Sequence, residues 1–460
     1  MGGHDRPGGQ RVLHRGQPGG VRGGQGGVRG GAGVETEGRR SVVTIAAKPA
    51  GKERSLVRDR DFQLFWGGDL VSQLGAEMML FALPLVMVST LNASGTQIGL
   101  LEAFYTIPFF ALPVFVGVWQ ERRARRPVMI VADLLRGALV LTIPVAALLD
   151  RLSLVQIYVV ATLVGALTVV YDIAARSYLP RFVPDASLGS ANSKLTTDQA
   201  VSATLGPGLG GWLAGISSAA GVIFLNALGY FVSALALLRM RHREEAQEQD
   251  PAESRNLRRE LVEGFSAVFR NPPVRAIALH AAIYNMGGSL VNVGFVVYFV
   301  RDLGMSQFAF GMVGVVGGVG AICGALGIPF LFDRIGYGKA LLVALFFGTW
   351  AYFLLPAFAG PDSAVYLASA AGFFFGFGGS TAGSVIAVTV RQKVTPPELH
   401  ARMNATYRLI SFGSIPFGAV IGGVLVDGIG ARETLWLAPF VLFASVVPVA
   451  TRTMWKLKLN

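Results

Sequence analysis

Charge is scarce in this chain. Asp, Glu, Lys and Arg make up 15% of the 460 residues, against about 25% in soluble globular domains. That is too little to coat a soluble fold of this size, and the mean hydropathy of +0.52 agrees. Cysteine is nearly absent: Cys323 is alone and lies inside an apolar run. An intrachain disulfide and a cysteine metal site are therefore excluded. Five histidines without an HExxH pair offer no zinc-protease site, and no GxxxxGK[ST] phosphate loop is present for ATP-driven work. No enzyme active site, metal or resident cofactor is expected.

What is present in abundance is long apolar runs. A membrane span needs about 20 mostly apolar residues, and twelve runs qualify. They lie near 62–90, 97–118, 128–149, 154–175, 191–216, 220–239, 274–300, 308–332, 339–359, 363–389, 402–426 and 433–453. The predicted class is an all-α polytopic membrane protein. The net charge of +12 sits largely in tails and alternate loops. One set of loops carries Arg122, Arg123, Arg125 and Arg126, then Arg176 and Arg181, then Arg334 and Lys339, then Arg391 and Lys393; the other offers little beyond Arg151, Arg301 and Arg432. The positive-inside rule places both termini in the cytoplasm of a multi-pass plasma (inner) membrane protein.

The expected organisation has five parts. Residues 1–57 form a Gly/Arg-rich tail without an apolar core, including Arg22-Gly23-Gly24 and Arg29-Gly30-Gly31. Such repeats can hold single-stranded nucleic acid, but a disordered basic tail is the plainer reading, and no nucleic-acid partner is expected. The tail has no signal-peptide h-region, so the first span is expected to direct insertion. Six spans in 58–240 form one bundle, and six in 274–453 a second. Between them, 241–273 is a cytoplasmic linker. Asp250-Pro251-Ala252-Glu253 reads as a helix start, and Leu257, Leu261 and Phe265 lie opposite Arg255, Arg258 and Arg259. An amphipathic helix on the inner leaflet is expected there. Residues 454–460 form a short basic tail.

The two halves repeat at one gapless offset, 334 − 122 = 212. Gly75 falls on Gly287, Gly99 on Gly311, Glu121-Arg122 on Asp333-Arg334, Pro184 on Pro396, Gly206 on Gly418, and Gly210-Gly211 on Gly422-Gly423. Six spans per repeat preserve orientation, which makes the halves parallel repeats about an axis normal to the membrane, the architecture of rocking-bundle transporters.

Residues 117–126, GVWQERRARR, resemble the GxLaDRxGRK loop signature of the major facilitator superfamily, with Glu121 for the Asp and Ala124 for the inner Gly. Asp333-Arg334 keeps the Asp-Arg in the second half. Gly206, Pro207, Gly210 and Gly211 are similar to the core of the GPxxGG antiporter motif, although Ser202 and Leu195 replace its upstream glycines. Ser72-Gln73-Leu74-Gly75, Ala132-Asp133-Leu134-Leu135-Arg136 and Ala191-Asn192 look like the subgroup of proton-coupled drug, macrolide and enterobactin-type siderophore exporters. The resemblance, over residues 58 to 453, implies proton-driven efflux of an amphipathic small molecule by alternating access, as in multidrug antiporters. The proton gradient is the energy source, and a monomer is expected. An importer, a lysolipid flippase, or a transport-inactive sensor or scaffold remains open on the same residues.

Ionisable residues inside spans are costly to insert and are functional candidates by default. For proton coupling the order is Glu77, Asp69, Glu102. Asp69, Gln73 and Glu77 share one helical stripe at four-residue spacing. The resemblance implies a cytoplasmic latch at Glu121, Arg122, Asp333 and Arg334. Asp133 with Arg136, and Asp172 with Arg176, read as paired salt bridges at the same end. Span four lacks the intramembrane Arg of the RxxQG motif. Candidate cavity residues are Gln73, Tyr105, Asn285, Asn292 and Arg408, with Phe104, His280 and Tyr284 nearby. Aromatics beside amides suit an amphipathic organic molecule.

Overall fold

The computed structural model describes residues 56–121, 123–242, 257–359 and 363–455. Among them the regular structure is helical throughout. The first half contains α1 (Arg60–Leu91), α2 (Gly95–Ala111), α3 (Pro113–Glu121), α4 (Arg125–Leu148), α5 (Leu154–Phe182), α6 (Asp185–Ile216) and α7 (Ala219–Arg239). A connecting helix, α8 (Leu257–Phe269), leads to the second half. That half contains α9 (Pro272–Val296), α10 (Gln307–Ile335), α11 (Tyr337–Trp350), the one-turn α12 (Leu354–Ala357), α13 (Ser363–Val394), α14 (His400–Gly413), α15 (Ile415–Ile429) and α16 (Ala431–Ala444). A short α17 (Arg452–Trp455) follows.

Nine helical stretches among the described residues are long and apolar enough to cross a membrane. The other three of the twelve expected spans depart for identifiable reasons. The second is broken at Leu112, because Pro113 cannot continue the ladder, into α2 and α3. The fifth, α6, begins six residues earlier than expected with a polar stretch containing Lys194 and Asp198. The twelfth is shorter than the expected 433–453: α16 ends at Ala444 and a run of turns follows. The eleventh, one of the nine, is divided at Ser414, ahead of Pro416, into α14 and α15.

Packing repeats between the halves. In the first, α1 packs on α6 and α7, α2 and α4 pack on α5, and α4 packs on α7. In the second, α9 packs on α15 and α16, α10 and α11 pack on α13, and α11 packs on α16. These are the pairings that a 212-residue offset dictates. Large apolar side chains such as Leu148, Phe115, Leu326, Leu367 and Phe440 are exposed, which suits lipid-facing surfaces. Between spans in a bilayer no hydrophobic driving force remains, so close van der Waals packing through small residues holds helices together.

The halves meet along two seams, α2 with α15 and α6 with α10. Both are built on glycine. A Cβ on Gly211 would lie 2.6 Å from the Gln307 carbonyl oxygen and 2.8 Å from the Gly311 Cα, and one on Gly311 would lie 2.6 Å from the Pro207 carbonyl oxygen. In the partner seam, a Cβ on Gly423 would lie 2.6 Å from the Thr96 Cα, and one on Gly99 would collide with the Ala419 carbonyl. Gly99 and Gly311, and Gly211 and Gly423, are repeat equivalents.

The connecting helix makes a contact beyond the amphipathic role expected of it. Gly264 and Val268, one turn apart, face α14: Gly264 abuts Thr406 and Arg402, Val268 is fully buried, and Glu263 pairs with Arg402. Val262, Phe265 and Phe269 are exposed. The helix thus docks on α14 through its small-residue face and turns its larger apolar side chains outward. The proposed helix start at 250–253 and the side chains of Leu257 and Leu261 lie outside the described residues.

Gly99→Val is expected to lower the melting temperature of the purified protein by wedging α2 from α15, an overpacking cost of about 1–3 kcal/mol. Gly117→Ala, where the added Cβ meets nothing within 4 Å, is the control, and a thermal melt in detergent compares the two.

Candidate functional site

α1 enters from Asp59, whose carboxylate accepts from the Phe62 amide, and carries its three polar candidates up one face. Gln73 donates to Asp69 Oδ2 at 2.5 Å and Tyr171 OH donates to Oδ1 at 3.3 Å. Gln73 is therefore engaged with its own helix neighbour. Asp69 is buried within the first half, beside the Asp133–Arg136 pair. Arg136 is nearly fully buried, sits 4.4 Å and 4.5 Å above the rings of Tyr171 and Tyr230, and pairs with Asp133. This cluster of two acids, one guanidinium and two phenols lies between α1, α4, α5 and α7. Glu77 is half-buried, with its Cβ against Gly206 of α6; no hydrogen bond to its carboxylate is found among the described residues.

Glu102 differs from both. Its carboxylate leaves α2 and reaches the other half, where Ser289 Oγ donates to Oε1 at 2.8 Å and Asn292 Nδ2 donates to Oε2 at 3.0 Å. A cavity of about 220 Å³ adjoins it, walled by Leu80, Pro84, Tyr105, Asn292 and Val296 among others. Glu102, Tyr105 and Asn292, singled out separately in the sequence, are thus brought to one place. Ser289 was not singled out. Its signal was available, because Ser289 is the repeat equivalent of Glu77 and Asn285 that of Gln73. Asn285 is committed elsewhere: its amide donates to the Ser411 carbonyl at 2.8 Å and to Ser411 Oγ at 2.9 Å, tying α9 to α14. His280 is likewise structural, with Nδ1 2.9 Å from the Ser445 carbonyl.

A second cavity, of about 300 Å³, lies between α2, α3 and α5 of one half and α14 of the other. Asp172, Arg176 and Arg408 line it together. Among the described residues no salt bridge closes between Asp172 and Arg176; the four-residue spacing permits one, but both side chains are exposed and line this cavity. The side chains of Glu121 and Asp333, and all of Arg122, lie outside the described residues; Arg334 is exposed at the end of α10. Arg126 from the same loop is placed: it donates to the carbonyls of Leu237, Leu238, Met240 and His242 at 2.8–3.1 Å, closing the C-terminus of α7. A cation at the negative end of a helix dipole is a favourable placement.

Beyond the cavities, on the side of the 92–94 and 430 turns, further hydrogen bonds join the halves. Asp427 Oδ1 accepts from the Gly95 amide at 2.6 Å and Oδ2 from the Thr96 amide at 2.9 Å. A carboxylate from α15 thereby caps the N-terminus of α2, where unpaired amides and the helix dipole favour negative charge. Arg301 donates to the Ala93 carbonyl in the same region. Neither residue stood out in the sequence, since both sit at ordinary span ends.

With glycine seams and cross-half bonds at one end and cavities between the halves, the comparisons with known proteins become specific. A family model described as Major Facilitator Superfamily matches residues 65–413. The chain belongs to the Major Facilitator Superfamily. Among curated proteins, it is 22% identical over 388 residues to the multidrug efflux pump Tap of Mycolicibacterium fortuitum, covering 83% of this chain and 93% of Tap. It is 21% identical over 226 residues to macrolide efflux protein A of Streptococcus pyogenes, covering 48% of this chain and 55% of that protein. Among solved structures, the nucleoside transporter NupG superposes with a TM-score of 0.69 at 14% identity, covering 86% of this chain and all of NupG. The facilitator fold explains why the repeat and the two seams coincide: the halves are equivalent units, and the seams are where they touch.

Two outcomes follow from this geometry. Arg136→Met strands the Asp133 carboxylate and should destabilise the protein by about 3–5 kcal/mol, whereas Asp133→Leu with Arg136→Met restores most of it; denaturant titration in mixed micelles reads both. Asp427→Asn removes the charge that caps α2. Hydrogen exchange of the Gly95 and Thr96 amides, which Asp427 accepts from, should quicken in Asp427→Asn, as the seam opens more often.

Proposed function

We propose that this facilitator-superfamily protein is a proton-coupled exporter of an amphipathic small molecule, working as a monomer in the plasma membrane with both termini in the cytoplasm. The observation that carries the reading is the Glu102 bridge. Rocking one half against the other must break the bonds from Ser289 and Asn292 to Glu102, because donors and acceptor belong to different halves. A carboxylate so placed has a different environment in each conformation, which is the requirement for linking protonation to movement. Protonation turns one acceptor oxygen into a donor and weakens the bridge. Glu102 therefore replaces Glu77 at the head of the coupling candidates. Asp69, buried inside one half, and Glu77, against Gly206, have no observed bond across the halves that movement would break.

Outward direction is supported by the similarity to Tap and macrolide efflux protein A, both named as efflux proteins. The Arg-rich loops assign the cytoplasmic side, and on that assignment the glycine seams and the Asp427 cap close the outer end. The cavities then lie on the cytoplasmic side of the closed seam, where an exporter would load its substrate. The five-part division of the chain, with bundles at 58–240 and 274–453, follows from the same repeat.

In inside-out vesicles with an acidic lumen, substrate-coupled proton release by the wild type should be lost in Glu102→Gln. Retention in Glu102→Gln with loss in Glu77→Gln or Asp69→Asn would move the coupling site to α1. Release absent from the wild type with every member of a broad substrate panel would refute proton-coupled export.

A further inference from the structure

The 300 Å³ cavity between the halves has a charge pattern that bears on what it binds. Arg176 comes from α5 in the first half and Arg408 from α14 in the second, with Asp172 one turn before Arg176. Two guanidiniums and one carboxylate give the wall a net charge of about +1 when all are ionised, and arginine stays ionised. Among the described residues, no hydrogen bond or salt bridge to either guanidinium is found, so their donors are available to a guest. Arg136 in the neighbouring cluster shows the alternative, a guanidinium engaged by an acid, a hydroxyl and two rings. The rest of the wall is apolar, with Phe109, Phe110, Ile173 and Leu409 prominent, and Phe412 lying 5.8 Å from the Arg408 guanidinium.

We propose that this cavity selects a compact amphipathic organic anion. The anionic group is held between Arg176 and Arg408, and the apolar body lies against the phenylalanines. Arginine's planar fork suits an oxyanion, and a charge-assisted pair is about twice as strong as a neutral hydrogen bond. Asp172 acts in the opposite sense, lowering affinity for an anion by like-charge repulsion and helping its release. The volume is at the small end of ligand pockets, which span about 300–1,000 Å³, so the guest has one or two rings rather than a large macrocycle. Because the two arginines belong to different halves, the anion also bridges them. This assignment rests on the transport reading above only for its consequence, since binding is measurable without transport.

The test uses the full chain in lipid nanodiscs and three probes of one shape: 2-naphthoate, the neutral 2-naphthamide and the cationic 2-naphthylmethylammonium. Wild type should bind naphthoate at least about ten-fold tighter than either other probe, a difference of about 1.4 kcal/mol. Arg408→Gln and Arg176→Gln, from opposite halves, should each abolish that preference at unchanged melting temperature. Arg408→Lys should restore part of it, and Asp172→Asn should tighten naphthoate binding. Absence of naphthoate binding to the wild type overturns the assignment. So does tighter binding of the cation that depends on Asp172. Proteoliposome flux separates the two levels: naphthoate bound, with neither it nor any member of the broad panel moved, would refute the transport reading and leave the site standing. A cation exchanged for protons without anion binding would refute the site and leave transport standing.

Discussion

The close approach of backbones along the two glycine seams is the constraint on which the rest of this structure depends. At Gly99, Gly211, Gly311 and Gly423 a methyl group would meet main-chain atoms of the opposite half, so the halves come together only because no side chain stands between them. In lipid the apolar surfaces of the halves gain nothing by leaving the solvent, and van der Waals contact at short range is what remains. Contact of this kind is strong when complete and falls off within an ångström. An interface built from it is either closed or open, and that two-state character is what an alternating mechanism requires.

Polar groups refine this packing. Asp427 adds a charge at the N-terminus of α2, and Arg301 adds a donor to the Ala93 carbonyl beside it. Glu102 adds a second tie deeper in the protein. The buried Asp133–Arg136 pair, together with Asp69, Tyr171 and Tyr230, plays a different part. It lies within one half and braces four helices against each other. Arg126 performs a similar service at the end of α7. The molecule thus separates charges that hold a half rigid from charges that join the halves.

Much of this was legible from residues alone. Apolar runs located the spans because a bilayer leaves a helix little alternative. The offset of 212 paired Gly99 with Gly311 and Gly211 with Gly423 before their contacts were visible, since equivalent residues in a repeat occupy equivalent surfaces. Asp133 and Arg136 were recognisable as partners because three-residue spacing on a helix brings their side chains together. For Asp172 and Arg176 the same spacing only permits a pair, and both side chains instead line the largely apolar cavity beside α14.

Sequence by itself determined the class of the protein, the number of apolar segments, the repeat and the list of ionisable residues that a membrane would tolerate only with cause. Each of these is a property of one segment or of two segments at fixed offset. Which carboxylate crosses between the halves was decided only by the tertiary structure, because Glu102 and Ser289 are 187 residues apart and neither carries a local mark of the other. The same holds for Asp427 at the start of α2, and for the meeting of Arg176 with Arg408 around one cavity. Such contacts depend on how two helices are rotated and how deeply they interlock, and those quantities are set by the fit of all the side chains along a seam.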